Sequence, residues 1–475
     1  MACSLMLLSL STLTTAYTTF ETNCTHPTTR VNYVSSVNAR GTMDILWSSL
    51  FTILACTWTV LHLNVPMQRE GRDKGLLGDV KWMFKRGLSS FIWMLVVILA
   101  PEILIAKYWG DLVSARDVPV EIREFAVKDE VPWTTSHAFF ANMGGFALRW
   151  YAPKRVGKLH HSMTQTELDM PHQITAGDLN NASVISLTAE QPVTPPALRH
   201  LNIKQIIALR EAGLLPRLPY ITLEELQDRN KSDSLIRVIA IVQIVWSVVQ
   251  IIVRAARRLA ISQLEVAVVA FAACAIAMYG LNWYKPKGVQ VPITILQYPR
   301  NAPLSVRDIV SHRYSGYTED GLILRWIRAL TDRTFGQRDE SGAVHNLAVG
   351  ETGSAEVWPL SLGCVVFGGI HLAAWNFDFP TRVEQILWWI ASLWCTFSVF
   401  GLLMLYFFLV FLQDHWNSWD QWGGTEAVGL GLLRFMPAAY LLARLYLLVE
   451  IFRTLCFLPE SAYIATWATN VPHVA

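Results

Sequence analysis

Four ionisable side chains lie in apolar surroundings where charge is costly, which makes Glu102, Asp378, His371 and His62 the candidates for chemistry. In "MLVVILAPEILIAKYW", Glu102 directly follows Pro101. A proline there removes an amide donor and kinks the helix, leaving a carbonyl free for a polar partner. A carboxyl group in an apolar pocket is a recurrent general acid, and that is the role Glu102 would fill. The competing reading makes it an interfacial glutamate bound to Lys107 or to a neighbouring helix, and the sequence leaves both open.

The stretch "HLAAWNFDFPTRVEQILWW", residues 371–389, holds two more candidates. His371 and Trp375 are four apart and share a helical face. His62 occupies a similar place at the end of the first apolar segment, and His137 lies in a short amphipathic stretch. An interfacial histidine is more often a hydrogen-bonded structural residue than an acid, and these lack the ligand spacing of a zinc site. Asp378 is either a turn aspartate bonding its own backbone or an acid at the mouth of an aromatic cavity. For the second role, Trp375, Phe377 and Trp388 are the expected substrate-facing aromatics, whose ring faces stabilise a passing carbocation.

Three other acids read as structural. Thr381-Arg382-Val383-Glu384 after Pro380 fits a capping box, with Glu384 bonding back to the Thr381 amide. Ser262-Gln263-Leu264-Glu265 fits another, and Glu450 is expected to pair with Arg453 or Arg444. The chain has no P-loop, no dinucleotide fingerprint, no H-E-x-x-H, no G-x-S-x-G and no aspartate-rich diphosphate motif. No metal and no cofactor are therefore expected.

The elements that must position these residues are apolar helices. The 475 residues are 52% hydrophobic and only 16% charged, well under the quarter usual in soluble chains. Nineteen tryptophans suit a protein with several water–lipid boundaries. A net charge of +2 without a basic stripe excludes nucleic acid as the expected partner. The seven cysteines form no disulfide framework. The fold class expected is all-α, a polytopic helical bundle of about seven membrane helices with two polar inserts.

The seven segments lie near 45–63, 88–106, 238–253, 266–284, 357–375, 385–413 and 428–452. Residues 1–20 read as a signal peptide and 21–44 as a lumenal segment with a glycosylation sequon at Asn23. Residues 45–106 hold helices one and two around a basic loop, which the positive-inside tendency puts in the cytosol. A polar insert with amphipathic helices spans 107–237, helices three and four span 238–284, and a second polar insert spans 285–356. Helices five to seven occupy 357–457 and a tail runs from 458 to 475. Within the first insert, "WTTSHAFFANMGGFALRWY" is too short to span and is expected at the interface or as a re-entrant piece. "IKQIIALREAG" is expected as a short helix. No internal repeat is visible, which disfavours a transporter built from inverted halves.

"ILWSSLFTILACTWTVLHLNVP", "ILAPEILIAKYW", "SHAFFANMGGF", "GGIHLAAWNFDFP" and "ARLYLLVEIFRTLCFLPESAY" together resemble a widespread fungal family of polytopic membrane proteins. The chain is also similar in size and hydrophobicity to the terpene cyclases of ascofuranone- and macrophorin-type meroterpenoid pathways. The resemblance implies cyclisation of the farnesyl chain of a prenylated phenol or epoxyquinol in the endoplasmic reticulum membrane, begun by protonation of an epoxide or alkene. It implies a lipophilic prenylated substrate and membrane lipids as partners, and it carries over no catalytic residues. The rival expectations are a transporter and a receptor-like or scaffold protein of a secondary-metabolite pathway.

Overall fold

The computed structural model describes residues 39–69, 73, 75–117, 120–150, 197–230, 234–298, 302–311, 357–415 and 424–466. The signal peptide and Asn23 lie outside the described residues, as do most of 151–196 and 312–356. The chain is mostly helical. Helices α1 (Thr42–Thr59), α2 (Leu76–Leu99) and α3 (Pro101–Arg116) come first. They are followed by α4 (Val120–Asp129), α5 (Thr135–Asn142), strands β1 (Phe146–Trp150) and β2 (Ala197–Leu201), α6 (Ile203–Glu211) and α7 (Leu223–Asp228). Then come α8 (Ser234–Ala256), α9 (Gln263–Leu281), β3 (Ile293–Tyr298) and α10 (Leu304–Ser311). The last three are α11 (Val357–Leu372), α12 (Arg382–His415) and α13 (Gly424–Arg453).

Among the described residues, four helical stretches are long and apolar enough to cross a membrane: Leu76–Leu99, Val238–Ala256, Gln263–Leu281 and Arg382–Gly401. A stretch of about 20 apolar residues suffices for this. α11 is apolar but shorter. The four are not equally placed. α9 is largely enclosed, with α1, α3 and α11 packed against it. α2 and α8 bury little of themselves and leave Val80, Phe84, Val242 and Ile252 exposed. An apolar face turned outward is what lipid, rather than water, accommodates.

The expected second span breaks in two. α2 ends at Leu99 and α3 begins at Pro101, with Ala100 between them at φ −154°, ψ 73°. Pro101 has no amide to give, and the Ile103 amide turns back to the Ala100 carbonyl. The Leu99 carbonyl is thereby released from the helix ladder.

Both expected capping boxes form. The Thr381 amide donates to Glu384 Oε2 at 3.1 Å and the Glu384 amide to Thr381 Oγ1 at 3.3 Å, which starts α12. The Ser262 amide donates to Glu265 Oε2 at 2.8 Å, and Arg40 adds an ion pair to the same carboxylate at 2.6 Å. The helix expected from "IKQIIALREAG" forms as α6, capped by Asn202, whose side chain accepts from the Gln205 amide.

One feature departs from an all-α fold. A three-stranded sheet, in the order β2-β1-β3, draws strands from both polar inserts. β1 runs antiparallel to β2, pairing Phe146 with Leu201, and parallel to β3, pairing Phe146 with Ile293. The stretch expected at the interface is therefore half helix and half strand, buried in a second core with α4–α7 and α10. The switch occurs at Met143-Gly144-Gly145-Phe146. Gly144 has φ +83°, a conformation that L side chains rarely adopt. A Cβ on Gly145 would lie 2.4 Å from the Phe140 ring.

This second core carries its own polar ties. Asp129 accepts two bonds from Arg210 and one from the Leu218 amide, at 2.7–3.1 Å. The Arg210 contact holds the Asp129 carboxyl below the usual carboxylate range. His137 donates from Nε2 to the Ile221 carbonyl at 3.0 Å, and His200 from Nδ1 to the Gly144 carbonyl at 2.7 Å. Burial presses both imidazoles below their ordinary value, against the pull of those bonds.

Candidate functional site

The chain break at Ala100 places Glu102 in the first turn of α3, where its side chain is 1% exposed. α11 comes unusually close at this point, because Gly363 has no side chain. A Cβ there would stand 2.7 Å from Glu102 Cβ. α13 supplies the polar partners from two residues on one helical face. Tyr440 donates its hydroxyl to Glu102 Oε1. Glu102 Oε2 has no partner among the described residues.

One turn further along α13, Arg444 Nε donates to the released Leu99 carbonyl at 2.5 Å. Its guanidinium carbon is 3.7 Å from the Phe367 ring centroid and 5.9 Å from that of Tyr440. Arg444 Nη2 is buried without a partner among the described residues. The thiols of Cys274, Cys364 and Cys395 lie within electrostatic reach of both Glu102 and Arg444.

From Phe367 the cluster continues to His371, stacked at 4.6 Å between centroids, and on to Trp388 at 5.9 Å. His371 Nδ1 faces the Phe367 carbonyl at 2.8 Å. A carbonyl only accepts, so Nδ1 carries the hydrogen, and Nε2 is the acceptor nitrogen of the neutral ring. Trp388 is fully enclosed and donates to the His371 carbonyl at 3.2 Å. Glu102, Tyr440, Arg444, Phe367, His371 and Trp388 thus form one continuous buried set.

Three of the residues expected from sequence meet here: Glu102, His371 and Trp388. The others stand apart. Asp378 is exposed, and its backbone carbonyl accepts from Gln263 Nε2 at 3.1 Å. Trp375 is 36% exposed and stacks on Trp389 at 4.5 Å, while Phe377 is half-buried against the first core.

His62 belongs to a second buried cluster at the other end of α3. Its amide donates to Tyr108 Oη at 3.0 Å, and Nδ1 donates to the Val60 carbonyl at 2.9 Å. Close to Tyr108, Asp111 bridges Lys107 at 2.5 Å and Lys285 at 2.7 Å. Burial presses the Lys285 ammonium down to about 8, against the attraction of Asp111.

Tyr440 and Arg444 are the site residues that sequence reasoning missed. Arg444 is not the partner of Glu450, as had been an expectation. The two are six apart and lie on different faces of α13, whereas neighbours on a helix are three or four apart. Arg453 pairs with Glu384 instead, and Glu450 Oε1 is left without a partner among the described residues. The usable signal was the i, i+4 pair of Tyr440 and Arg444 inside an otherwise apolar run.

These features define a mostly helical protein with membrane-length apolar helices and a buried acid–arginine cluster between α3 and α13. The chain belongs to a family of unknown function, DUF8562, which it matches over residues 12–167 and 197–317. No curated protein and no solved structure matches it. The matched region includes Glu102 and His62 and stops before α11–α13.

Proposed function

We propose that this chain is a membrane-bound cyclase acting on the farnesyl chain of a prenylated phenol or epoxyquinol, of the fungal meroterpenoid type. It crosses the endoplasmic reticulum membrane about seven times. α1, the broken α2–α3 pair, α8, α9, α11, α12 and α13 correspond to the seven apolar segments of the sequence. A lipid-soluble substrate would enter from the bilayer.

The observation that carries this reading is the buried carboxyl of Glu102, with one oxygen oriented by Tyr440 and the other without a partner among the described residues. In its acid form, Glu102 donates the Oε2 proton to an epoxide oxygen or to the terminal carbon of an alkene. For the epoxide, the C–O bond breaks with its electron pair on oxygen, leaving a tertiary cation. The π pair of the next double bond then forms the ring C–C bond and moves the cation along. Phe367, Tyr440 and Trp388 provide aromatic walls that shield it from water. The cation ends by losing a neighbouring proton to His371 Nε2, or by capture of a substrate hydroxyl that releases its own proton. That proton restores Glu102, so the net reaction is an isomerisation without metal or cofactor.

The test feeds prenylated phenol epoxides to microsomes of a host expressing this chain alone. A cyclised product of unchanged mass is expected, and Glu102→Gln should abolish it at equal expression. No product from a broad panel ends the enzyme reading. Substrate-dependent flux in vesicles without a new product would point to a transporter, and partner capture without either would point to a scaffold.

A further inference from the structure

Glu102 Oε2 and Arg444 Nη2 differ in hydrogen-bonding character, and neither has a partner among the described residues. Their side chains are almost fully enclosed, with residue exposures of 1% and 4%. Leaving one such atom unsatisfied is costly, and a charged one more so. Glu102 and Arg444 do not satisfy each other, since no N···O contact within 4.0 Å joins them. Yet they are tied to common neighbours. Tyr440 bonds the other Glu102 oxygen, and Arg444 also lies against the Tyr440 ring and holds the carbonyl of Leu99, three residues before Glu102.

An oxygen atom with one hydrogen bond to each side bridges a gap of up to about 6 Å. We infer that Glu102 and Arg444 together bind the hydroxyl group of an apolar, membrane-soluble alcohol or phenol. The hydroxyl oxygen accepts from Arg444 Nη2, and the same hydroxyl shares a hydrogen bond with Glu102 Oε2. A cationic ligand would face Arg444 directly. A hydrocarbon would leave both atoms unsatisfied. Phe367 and the Tyr440 ring, which lie against the Arg444 guanidinium, suit an apolar body behind the hydroxyl. The inference concerns binding alone, so it stands or falls separately from the cyclisation chemistry.

The test uses the purified full-length chain in phosphatidylcholine nanodiscs, titrated with 4-dodecylphenol and with dodecylbenzene while intrinsic tryptophan fluorescence is followed. After correction for partition into empty nanodiscs, the phenol should bind about tenfold more tightly, the equivalent of one good hydrogen bond. Arg444→Lys, which keeps the charge but loses the fork, and Glu102→Gln should each remove most of that preference. Where either variant fails to fold, a diazirine-bearing dodecylphenol on the wild-type chain serves instead, and it should label the α11 peptide containing Gly363–His371. Equal affinity for the two probes, a preference intact in both folded variants, or no label on α11 would mean that only water satisfies the pair, and would overturn the inference. A cyclisation assay that fails while the phenol preference holds would remove the enzyme reading and leave the binding site.

Discussion

Arg444 Nε donates to the Leu99 carbonyl at 2.5 Å, closing a gap of 345 residues along the chain. This one bond joins α13 to the break between α2 and α3. The break frees the carbonyl, and the arginine takes it up, so the open end of one helix and the buried charge of another satisfy each other. Replacing Arg444 with Met should leave Leu99 without its donor and Glu102 without a nearby cation. A loss of about 3–5 kcal/mol is the usual consequence of removing one side of a buried charged contact. Thermal unfolding in detergent should show a clear fall in midpoint, and an unchanged midpoint would mean that Arg444 is held for binding alone.

Tyr440 orients Glu102 but is not required to carry the proton itself. Tyr440→Phe should therefore lower turnover by about tenfold to a hundredfold, a smaller effect than loss of the acid in Glu102→Gln, since a general acid contributes about a hundredfold or more. The unfolding midpoint separates the roles. A purely structural tyrosine would lower the midpoint together with the activity, whereas a tyrosine that orients the carboxyl should lower turnover at a nearly unchanged midpoint.

Gly363 and Gly369 make a matched pair on α11. A Cβ at Gly363 would meet Glu102 Cβ at 2.7 Å and Cα at 3.1 Å, while one at Gly369 meets nothing within 4 Å. Gly363→Ala should force α11 away from α3 and cost about 1–3 kcal/mol, the range for overpacking. Gly369→Ala should leave the unfolding midpoint within error of the wild type. Equal effects at the two positions would refute the close approach.

The second core should be acid-sensitive. Arg210 holds the folded Asp129 carboxyl below its unfolded value, and burial holds His137 and His200 below theirs. In all three cases the unfolded chain binds more protons, so stability increases with pH through the titration range. The two histidine contributions are present above the unfolded imidazole value near 6.5 and fade as pH falls toward their folded values. The Asp129 contribution is present above the unfolded carboxylate value near 3.9 and is lost below it. Amide exchange in β1, β2 and α6 should quicken as pH falls from 7 to 5, after correction for the intrinsic rate. Exchange that slows instead would reverse the assigned sign.

The sequence by itself determined the apolar helices, both capping boxes and a proline kink at Pro101, which the structure shows as a full break, because each depends on residues within one turn of one another. It also singled out Glu102, since a carboxyl directly after a proline in an apolar run is visible without any fold. The tertiary structure decided what could meet Glu102. Tyr440 and Arg444 are more than 300 residues away on α13, and the close approach of α11 to Glu102 depends on a Cβ missing at Gly363. It also decided that His371 joins this cluster while His62 and Asp378 do not. The sheet escaped the sequence reading for the same reason. Phe146 pairs with Leu201 and Ile293, and a pairing between distant strands leaves no periodic mark in either stretch alone. Local chemistry is written in neighbouring residues. A site assembled from α3, α11, α12 and α13 exists only where packing brings their faces together.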